Sequence, residues 1–428
     1  LFWYGSFGQQ TMKFKPELHA TVDEHNRLIL PPEIVAQLGL RPGNSIPISP
    51  GRHCISVRQP ITHLKKIYIE PTNQCNLSCR MCIRSVWKEP LGQMTLETFN
   101  HIIQSLRELS GPLTVVFGGF GEPLFHPDII TMIAALKELG ASVELITNGT
   151  LLTEEFSRAF LETGIDVLWL SLDGASPESY ADVRLGAMLP EVLANMSRLR
   201  YSSWAYQYPQ PHLGIVFVAM KRNIADLPAV MTIGSQLKAD RFIITNVLPY
   251  TSELLPEVLY TRTIGDIAVA PSPWAPYINF SKMDMNDDTR ETLHRVIRSW
   301  RITSYHKDDM GESANYCPFI EGGATAISWD GSVSPCLPLM HSHESYLHDR
   351  RRFSRRHVIG NIANQSLRDL WNNPQYVALR QRVQDFDFSP CTFCGGCDLS
   401  EANEEDCFGN VFPTCGGCLW AQGVIQCP

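Results

Sequence analysis

The sequence predicts an α/β chain: a partial (βα)6 barrel of the TIM type, with a small β-rich module before it and a cysteine-rich domain after it. Three observations predict this. Short apolar runs alternate with amphipathic stretches through residues 64–285, and repeated βα units give parallel strands joined by right-handed crossovers. Residues 12–60 read as short alternating segments broken by turns. Nine of the 13 cysteines fall after residue 316, in residues 300–428.

The first module begins with the alternating run His19–Arg27, which ends in a polar turn, and Leu28-Ile-Leu-Pro-Pro follows. Glu33–Leu40 fits one short amphipathic helix closed by Gly39. Arg41-Pro-Gly-Asn is a turn, and two short strands lead to Val57. This order is similar to the AbrB-like swapped-hairpin module, which forms dimers and in many proteins binds DNA. Lys13, Lys15, Arg27, Arg41, Arg52 and Arg58 are scattered rather than striped. Docking of a protein partner, or a homodimer through this module, is therefore expected ahead of DNA binding. Cys54 reads as a buried small apolar residue, and no structural role is expected for residues 1–11.

The barrel strands are expected at Lys65–Pro71, Thr114–Glu122, Ser142–Gly149, Val167–Gly174, Leu213–Ala219 and Arg241–Asn246. Helical stretches such as Leu96–Leu109, Pro127–Leu139 and Glu154–Thr163 separate them. In such a barrel the functional residues lie at the carboxyl ends of the strands. Pro256, Pro271, Pro273 and Pro276 break up residues 249–301, which read as a linker wrapping the barrel.

Composition narrows the class. The 428 residues carry a net charge of −8, without a global basic footprint for nucleic acid. No apolar run reaches the ~18 residues that span a bilayer. Thirteen cysteines crowded into motifs suggest metal rather than disulfides, in a reducing, cytoplasmic compartment.

The most informative motif is Thr72-Asn-Gln-Cys-Asn-Leu-Ser-Cys-Arg-Met-Cys82, a C-x3-C-x2-C loop after the first barrel strand. Cubane iron–sulfur clusters normally take four cysteines. Cys75, Cys79 and Cys82 can hold three irons and leave the fourth open. A zinc site would pair with a second nearby cysteine pair, and the next cysteine is Cys317. The loop resembles the signature of the radical S-adenosylmethionine (SAM) superfamily. That resemblance implies a [4Fe–4S] cluster whose open iron chelates SAM, and a low-potential donor such as ferredoxin. One electron from the cluster splits SAM into methionine and a 5′-deoxyadenosyl radical.

It also implies cofactor contacts. Gly118-Gly-Phe-Gly-Glu122 resembles the family's GGE element, with Gly118, Gly119, Gly121 and Glu122 at the SAM amino group. Asn148 ends the third strand. Ser171 and Asp173 end the fourth, where related enzymes contact the SAM carboxylate and ribose. Arg184 stands where the family often pairs an arginine with the carboxylate, a job a bidentate guanidinium suits. Gly214–Val218 resembles the strand that packs on adenine but would serve equally as a core strand. His126 is either part of the site or part of a helix-start loop.

Cys317, then thirteen residues, Gly331, four residues and Cys336 match the opening of the SPASM domain, which carries auxiliary [4Fe–4S] clusters. Cys391 and Cys394 resemble its second half. Beyond them Cys397, Cys407, Cys415, Cys418 and Cys427 depart from its usual spacing. Nine thiols could fill two fully ligated cubanes with one left over; zinc knuckles at the Cys-Gly-Gly-Cys pairs 394–397 and 415–418 are the alternative. Sulfatase-maturing relatives carry an Asp directly after the second SPASM cysteine; here Leu337 follows Cys336. The run His341–His357 holds five arginines and four histidines, either as a solvated loop or as a positive patch for phosphate or an acidic partner.

The tail Cys415–Pro428 and the domain order resemble the radical SAM maturases of tungsten-containing aldehyde ferredoxin oxidoreductases. The partner expected from that resemblance is such an oxidoreductase or its pterin cofactor. A SPASM enzyme making thioether or epimerised peptides, and a non-catalytic iron–sulfur regulator on DNA, are the alternatives.

Overall fold

The computed structural model describes residues 19–37, 40, 46, 48–50, 55–57, 60–109, 111–261, 268–270, 277–300, 303–305, 315–394 and 397–428. Residues 1–11, Cys54 and the basic residues Lys13, Lys15, Arg41, Arg52 and Arg58 lie outside this set, as does the side chain of Cys394. The chain forms two compact units, Leu1–His63 and Leu64–Pro428.

The first unit holds two antiparallel hairpins and a short helix. Thr21–Val22 pairs with Leu28–Ile29, and Ile48–Pro50 with Ile55–Val57. Asp23 closes the first turn. Its carboxylate accepts from the backbone N–H of His25 and Arg27, and Asn26 takes a left-handed φ of 58°. The helix, Pro32–Gln37, falls where the periodicity placed it. Val22, Leu28, Ile29 and Ile48 are exposed apolar side chains on these hairpins. The element order agrees with the sequence reading; the AbrB-like resemblance rests on the sequence pattern alone.

The second unit is built on a ten-stranded sheet. Its strands in chain order are β1 (Lys66–Ile69), β2 (Thr114–Phe117), β3 (Ser142–Thr147), β4 (Val167–Ser171), β5 (His212–Ala219), β6 (Arg241–Asn246), β7 (Tyr277–Phe280), β8 (Ala324–Ile327) and β9 (Ser332–Ser334). A hairpin of β10 (His343–Leu347) and β11 (Arg350–Ser354) stands apart, and β12 (Gly360–Asn361) completes the sheet. The spatial order is β7-β6-β5-β4-β3-β2-β1-β8-β9-β12. Every pairing from β7 to β8 is parallel. The six expected strands are adjacent and in order. Two more parallel strands join their ends.

Those additions are where the sequence reading falls short. Residues 249–301 are not a plain linker: β7 pairs in parallel with β6, and a helix spans Arg290–Trp300. β8 comes from the cysteine-rich region, yet it pairs with β1, Ala324 opposite Lys66 and Ile327 opposite Ile69.

The strands are buried on both faces, as parallel strands are. One face carries Ile67, Ile69, Val115, Phe117, Val143, Leu145, Leu168 and Leu170, packed against helices α1 (Leu96–Arg107), α2 (Ile129–Glu138) and α3 (Glu154–Thr163). Burying each such side chain stabilises the fold by roughly 1.5–3 kcal/mol. The other face divides. On β1 and β2, Tyr68 and Val116 pack with Cys317, Phe319, Leu337 and Tyr376 of the C-terminal region. On β4 to β6, Val167, Trp169, Val216 and Ile243 form their own cluster. Helix starts are fixed locally: Thr95 accepts from Thr98 N at 3.1 Å, Thr153 from Phe156 N at 3.3 Å, and Ser176 and Ser179 form a capping box.

Candidate active site and cysteine centres

The cysteine loop leaves the carboxyl end of β1. Cys82 N donates to Cys79 O at 3.1 Å, closing a turn that runs into a short 3-10 helix, Ile83–Ser85. All three thiols are half-buried. Burial raises the Cys75 pKa and pushes the Cys82 thiol up to about 11, and the charge of Cys79 raises both further. The Arg84 guanidinium works the other way on both. Half-buried thiolates that repel one another need a cationic partner, and an iron–sulfur cluster is one that takes thiolates. Among the described residues, no three His, Cys, Asp or Glu side chains converge as a single-ion site would require. The donor set suits a cluster, which spreads its ligands.

The expected cofactor residues gather around this loop. Asn148 Nδ2 lies 3.8 Å from Cys75 Sγ and donates to Asn76 Oδ1 at 3.1 Å. Arg184 Nη1 lies 3.9 Å from Cys79 Sγ, while its Nε donates to Asp173 Oδ2 at 2.6 Å. Asp173 is fully buried, and its Oδ1 accepts from Val218 N at 2.6 Å. The Asp173–Arg184 pair thus ties the end of β4 to β5 and aims a guanidinium at the loop. The neighbouring carboxylate holds that guanidinium protonated against the opposing effect of burial. Ser171 ends β4, paired in register with Val216.

Gly118, Gly119 and Gly121 follow β2. A side chain at Gly121 would overlap Thr72 O and come within 2.6 Å of Gln74 O. Glycine there lets this loop lie directly on the residues leading into Cys75. Gly119 has a φ of 119°, which favours glycine. Glu122 is buried, and both its oxygens are engaged: Oε1 accepts from Leu124 N and Thr147 Oγ1, and Oε2 from Asn148 N at 2.8 Å. It clasps the ends of β2 and β3 together, and burial raises its pKa. His126 belongs to the helix-start loop: it is buried, 2.8 Å from Met94 O, and accepts from Asp128 N.

Sequence reasoning missed two groups. The first is Tyr180 on α4 (Pro177–Val183), whose buried hydroxyl has no hydrogen-bond partner among the described residues and lies near Arg184, Asp173 and Cys79. The second is Glu70–His341–Glu89. His341 Nε2 lies 2.7 Å from Glu70 Oε2, and its Nδ1 bonds to Glu89. Glu70 Oε1 also accepts from Phe120 N at 3.0 Å, inside the glycine-rich loop. Trp87 and Phe120 stand edge-on to the imidazole. The three charged residues are 252 and 271 positions apart in sequence, so no local pattern could have found them.

Burial opposes the imidazolium, but the two carboxylates prevail and raise the His341 pKa to about 9. A raised folded-state pKa gives stability fully present below pH 6.5 and lost as pH rises through about 9. The stability difference between the parent chain and H341Q should therefore be largest near pH 6. It should shrink by up to about 1.4 kcal/mol per pH unit across that window. Anaerobic urea midpoints from pH 6 to 9 check this; a pH-independent difference would rule out the charged histidine.

In the C-terminal region Cys317, Cys336, Cys415 and Cys418 line one cavity. Burial pushes the Cys317 thiol up to about 12 and raises the other three, and their charges raise one another in the first three. Four such thiols fit a fully ligated cluster. Cys391 starts a short helix, with Ser389 Oγ 3.0 Å from its sulfur; Cys397 follows it and is half-buried. Cys407 is exposed, on a hairpin tied to Ser389 through Asp406. Cys427 lies against Tyr68, Trp420 and Lys66 instead of facing the four-thiol cavity. Leu337, after Cys336, packs in the apolar cluster under β1 and β2.

The basic run 341–357 is not an open positive patch. Arg350 pairs with Asp398 and Glu401, Arg351 with Glu344, and Arg355 with Glu404. Arg356 lies 4.0 Å from Glu89, and Arg352 points inward.

Comparison with known proteins agrees with this geometry. The model of the radical SAM superfamily matches residues 69–203, and that of the SPASM iron–sulfur cluster-binding domain matches residues 317–398. The chain is 28% identical over 370 residues to the tungsten-containing aldehyde ferredoxin oxidoreductase cofactor-modifying protein of Pyrococcus furiosus, covering 85% of this chain and 97% of that protein. It is 29% identical to the AdoMet-dependent heme synthase of Methanosarcina barkeri over 42% of this chain and 50% of that one. It is 28% identical to the PqqA peptide cyclase of Bradyrhizobium diazoefficiens over 43% and 47%. In fold it is similar to Streptococcus suis SuiB bound to S-adenosylmethionine, with a TM-score of 0.51 and 16% identity over 79% of this chain and 72% of that one. Among the described residues no helix is long and apolar enough to cross a membrane. The domain that matches first binds a [4Fe–4S] cluster and SAM, and the second holds auxiliary clusters. The first match contains the three-cysteine loop, the second contains Cys317, Cys336, Cys391, Cys394 and Cys397, and the chain belongs to the radical SAM superfamily as an enzyme with a C-terminal SPASM domain.

Proposed function

We propose that this enzyme is a maturase that cleaves SAM reductively and modifies a tungsten-containing aldehyde ferredoxin oxidoreductase or its pterin cofactor. The observation that carries the reading is the span of the likeness to the Pyrococcus furiosus protein, 97% of that protein's length. The peptide cyclase of Bradyrhizobium diazoefficiens is matched over 47% of its length.

In this reading Cys75, Cys79 and Cys82 hold the cluster that binds SAM, which when bound supplies a 5′-deoxyadenosyl radical for hydrogen abstraction. Gly118, Gly119 and Gly121 bring backbone to the SAM amino group, and Glu122 fixes that loop to Asn148. Asn148, after β3, and Arg184, after α4, lie against the cysteine loop, Asp173 holds Arg184, and Ser171 at the end of β4 completes the set. Cys317, Cys336, Cys415 and Cys418 hold one auxiliary cluster. Cys391, Cys394, Cys397 and Cys407 supply a second, and Cys427 is the thiol left over. The electron donor is a low-potential protein such as ferredoxin. The N-terminal unit docks the partner: the apolar side chains exposed on its hairpins suit a protein surface better than a phosphate backbone.

The test is anaerobic assay of the full chain for 5′-deoxyadenosine, with dithionite and SAM, in the presence of a cofactor-free tungsten oxidoreductase, its pterin, or a small precursor peptide. Stimulation by the oxidoreductase or pterin is expected; stimulation by peptide alone would replace this reading with peptide modification. Deleting residues 1–60 should leave basal SAM cleavage within about twofold and weaken binding to the oxidoreductase. Nanomolar binding of the N-terminal unit to a defined DNA site at physiological salt would sink the docking role.

A further inference from the structure

Arg352 is a buried cation beside a group of cysteines. It comes from β11, within a run where its neighbours Arg350, Arg351 and Arg355 face outward to carboxylates. Arg352 is 8% exposed and lines the same cavity as Cys317, Cys336, Cys415 and Cys418. Its Nη1 donates to Gly417 O, in the turn between Cys415 and Cys418. Its Nε is buried without a hydrogen-bond partner among the described residues. A thiolate at Cys391 acts on the guanidinium as those of Cys418 and Cys415 do. The loops of Cys391 and Cys415 touch through backbone: a side chain at Gly416 would overlap Ser389 O, two residues before Cys391. Among the described residues, the leading charges acting on Arg352 are those of Cys418, Cys391 and Cys415.

A buried, unpaired guanidinium is costly to hold in an apolar cavity. It is tolerable where negative charge faces it. A cubane ligated by four thiolates carries net negative charge in both oxidation states, and one more after taking up an electron. A fixed cation beside it favours the reduced form, and charge and hydrogen bonds near the sulfurs are what set cluster potentials.

We infer that Arg352 is a positioning residue shared by the two auxiliary clusters, holding their reduction potentials up. The inference rests on the assignment of auxiliary clusters to these cysteines.

Dye-mediated potentiometric EPR titration of the full-length reconstituted enzyme tests it, in the parent chain, R352M, R352K and G417A. Iron and sulfide content is measured on each, and the EPR change on adding SAM to the first cluster reports that a variant is folded. At the potential where the parent's auxiliary signal is half reduced, R352M should show a tenfold or greater fall in the reduced-to-oxidised ratio. That is 59 mV more negative for a one-electron couple. R352K, which keeps the charge, should lie closer to the parent. In G417A a methyl group would overlap the guanidinium, displacing it, and a smaller shift in the same direction is expected. Full auxiliary iron with unchanged potentials in R352M overturns the inference and leaves the cluster assignment standing. Loss of auxiliary iron from R352M and R352K alike also overturns it, since Arg352 would then serve assembly alone. A parent chain without auxiliary iron and sulfide overturns the cluster assignment, and the inference with it.

Discussion

Replacing Cys75, Cys79 or Cys82 with Ala should bring 5′-deoxyadenosine formation down to the level seen without enzyme, while the C-terminal iron and sulfide stay in place. The three thiols share one loop between β1 and a single 3-10 turn, so each is the sole donor at its corner. The half-buried loop already opposes thiolate formation at Cys75 and Cys82. A cluster held by two corners would have to draw a replacement from solvent. The C-terminal thiols are separate in construction: Cys317 and Cys336 flank β8 and β9, and Cys415 and Cys418 bracket a turn closed by Cys418 N donating to Cys415 O at 3.0 Å. Loss of one group therefore leaves the other. Anaerobic product analysis by chromatography, with iron and sulfide counted on the same samples, checks both halves. SAM cleavage by the triple variant under dithionite would show that the loop is not the SAM site.

Much of this site was legible in the sequence because its parts are local. The C-x3-C-x2-C spacing, the glycine run 118–121 and the strand endings Asn148 and Asp173 each occupy a few consecutive residues. The strand periodicity then stacks those endings at one edge of the sheet. What was not legible is what the tertiary fold brings together. Glu70, Glu89 and His341 come from three places and meet only because β8 lies beside β1 and carries the C-terminal region back over the glycine-rich loop. Nothing in Tyr277-Ile-Asn-Phe280, a short segment after a proline-rich stretch, marks it as the strand that extends β6. Its register is set by its neighbour, not by its own pattern.

Arg352 shows the same limit from the other side. Among five arginines of like appearance, the run itself does not say which one turns inward. Strand alternation separates Arg352, which faces the cavity, from the exposed Arg351 and Phe353. Arg350 shares the face of Arg352 and, like Arg355, is drawn instead to carboxylates on the segment 398–404. Glu122 marks a further limit. A motif points to a carboxylate near the cofactor, but only coordinates show that Leu124, Thr147 and Asn148 already engage both its oxygens.

The second large effect lies at Asp173. D173A should destabilise the enzyme by about 3–5 kcal/mol, the usual result of leaving one member of a buried pair uncompensated. Asp173 is fully buried and the Arg184 side chain is 10% exposed, so water cannot take over the lost bonds. Arg184 Nε and Nη2 both reach Asp173 Oδ2 at 2.6 Å, and Val218 N would lose its acceptor as well. The double variant D173A/R184M removes the stranded charge. It should therefore be more stable than D173A alone, because an apolar replacement of the whole pair is often neutral. Activity separates the two roles of the pair. Arg184 is aimed at Cys79, so the double variant should regain stability without regaining SAM affinity. Urea midpoints for D173A, R184M and D173A/R184M, with SAM binding measured by equilibrium dialysis, form the cycle. If D173A were as stable as the parent, the buried pair would not be holding β4 to β5. If the double variant bound SAM as tightly as the parent, Arg184 would have no part in the cofactor site.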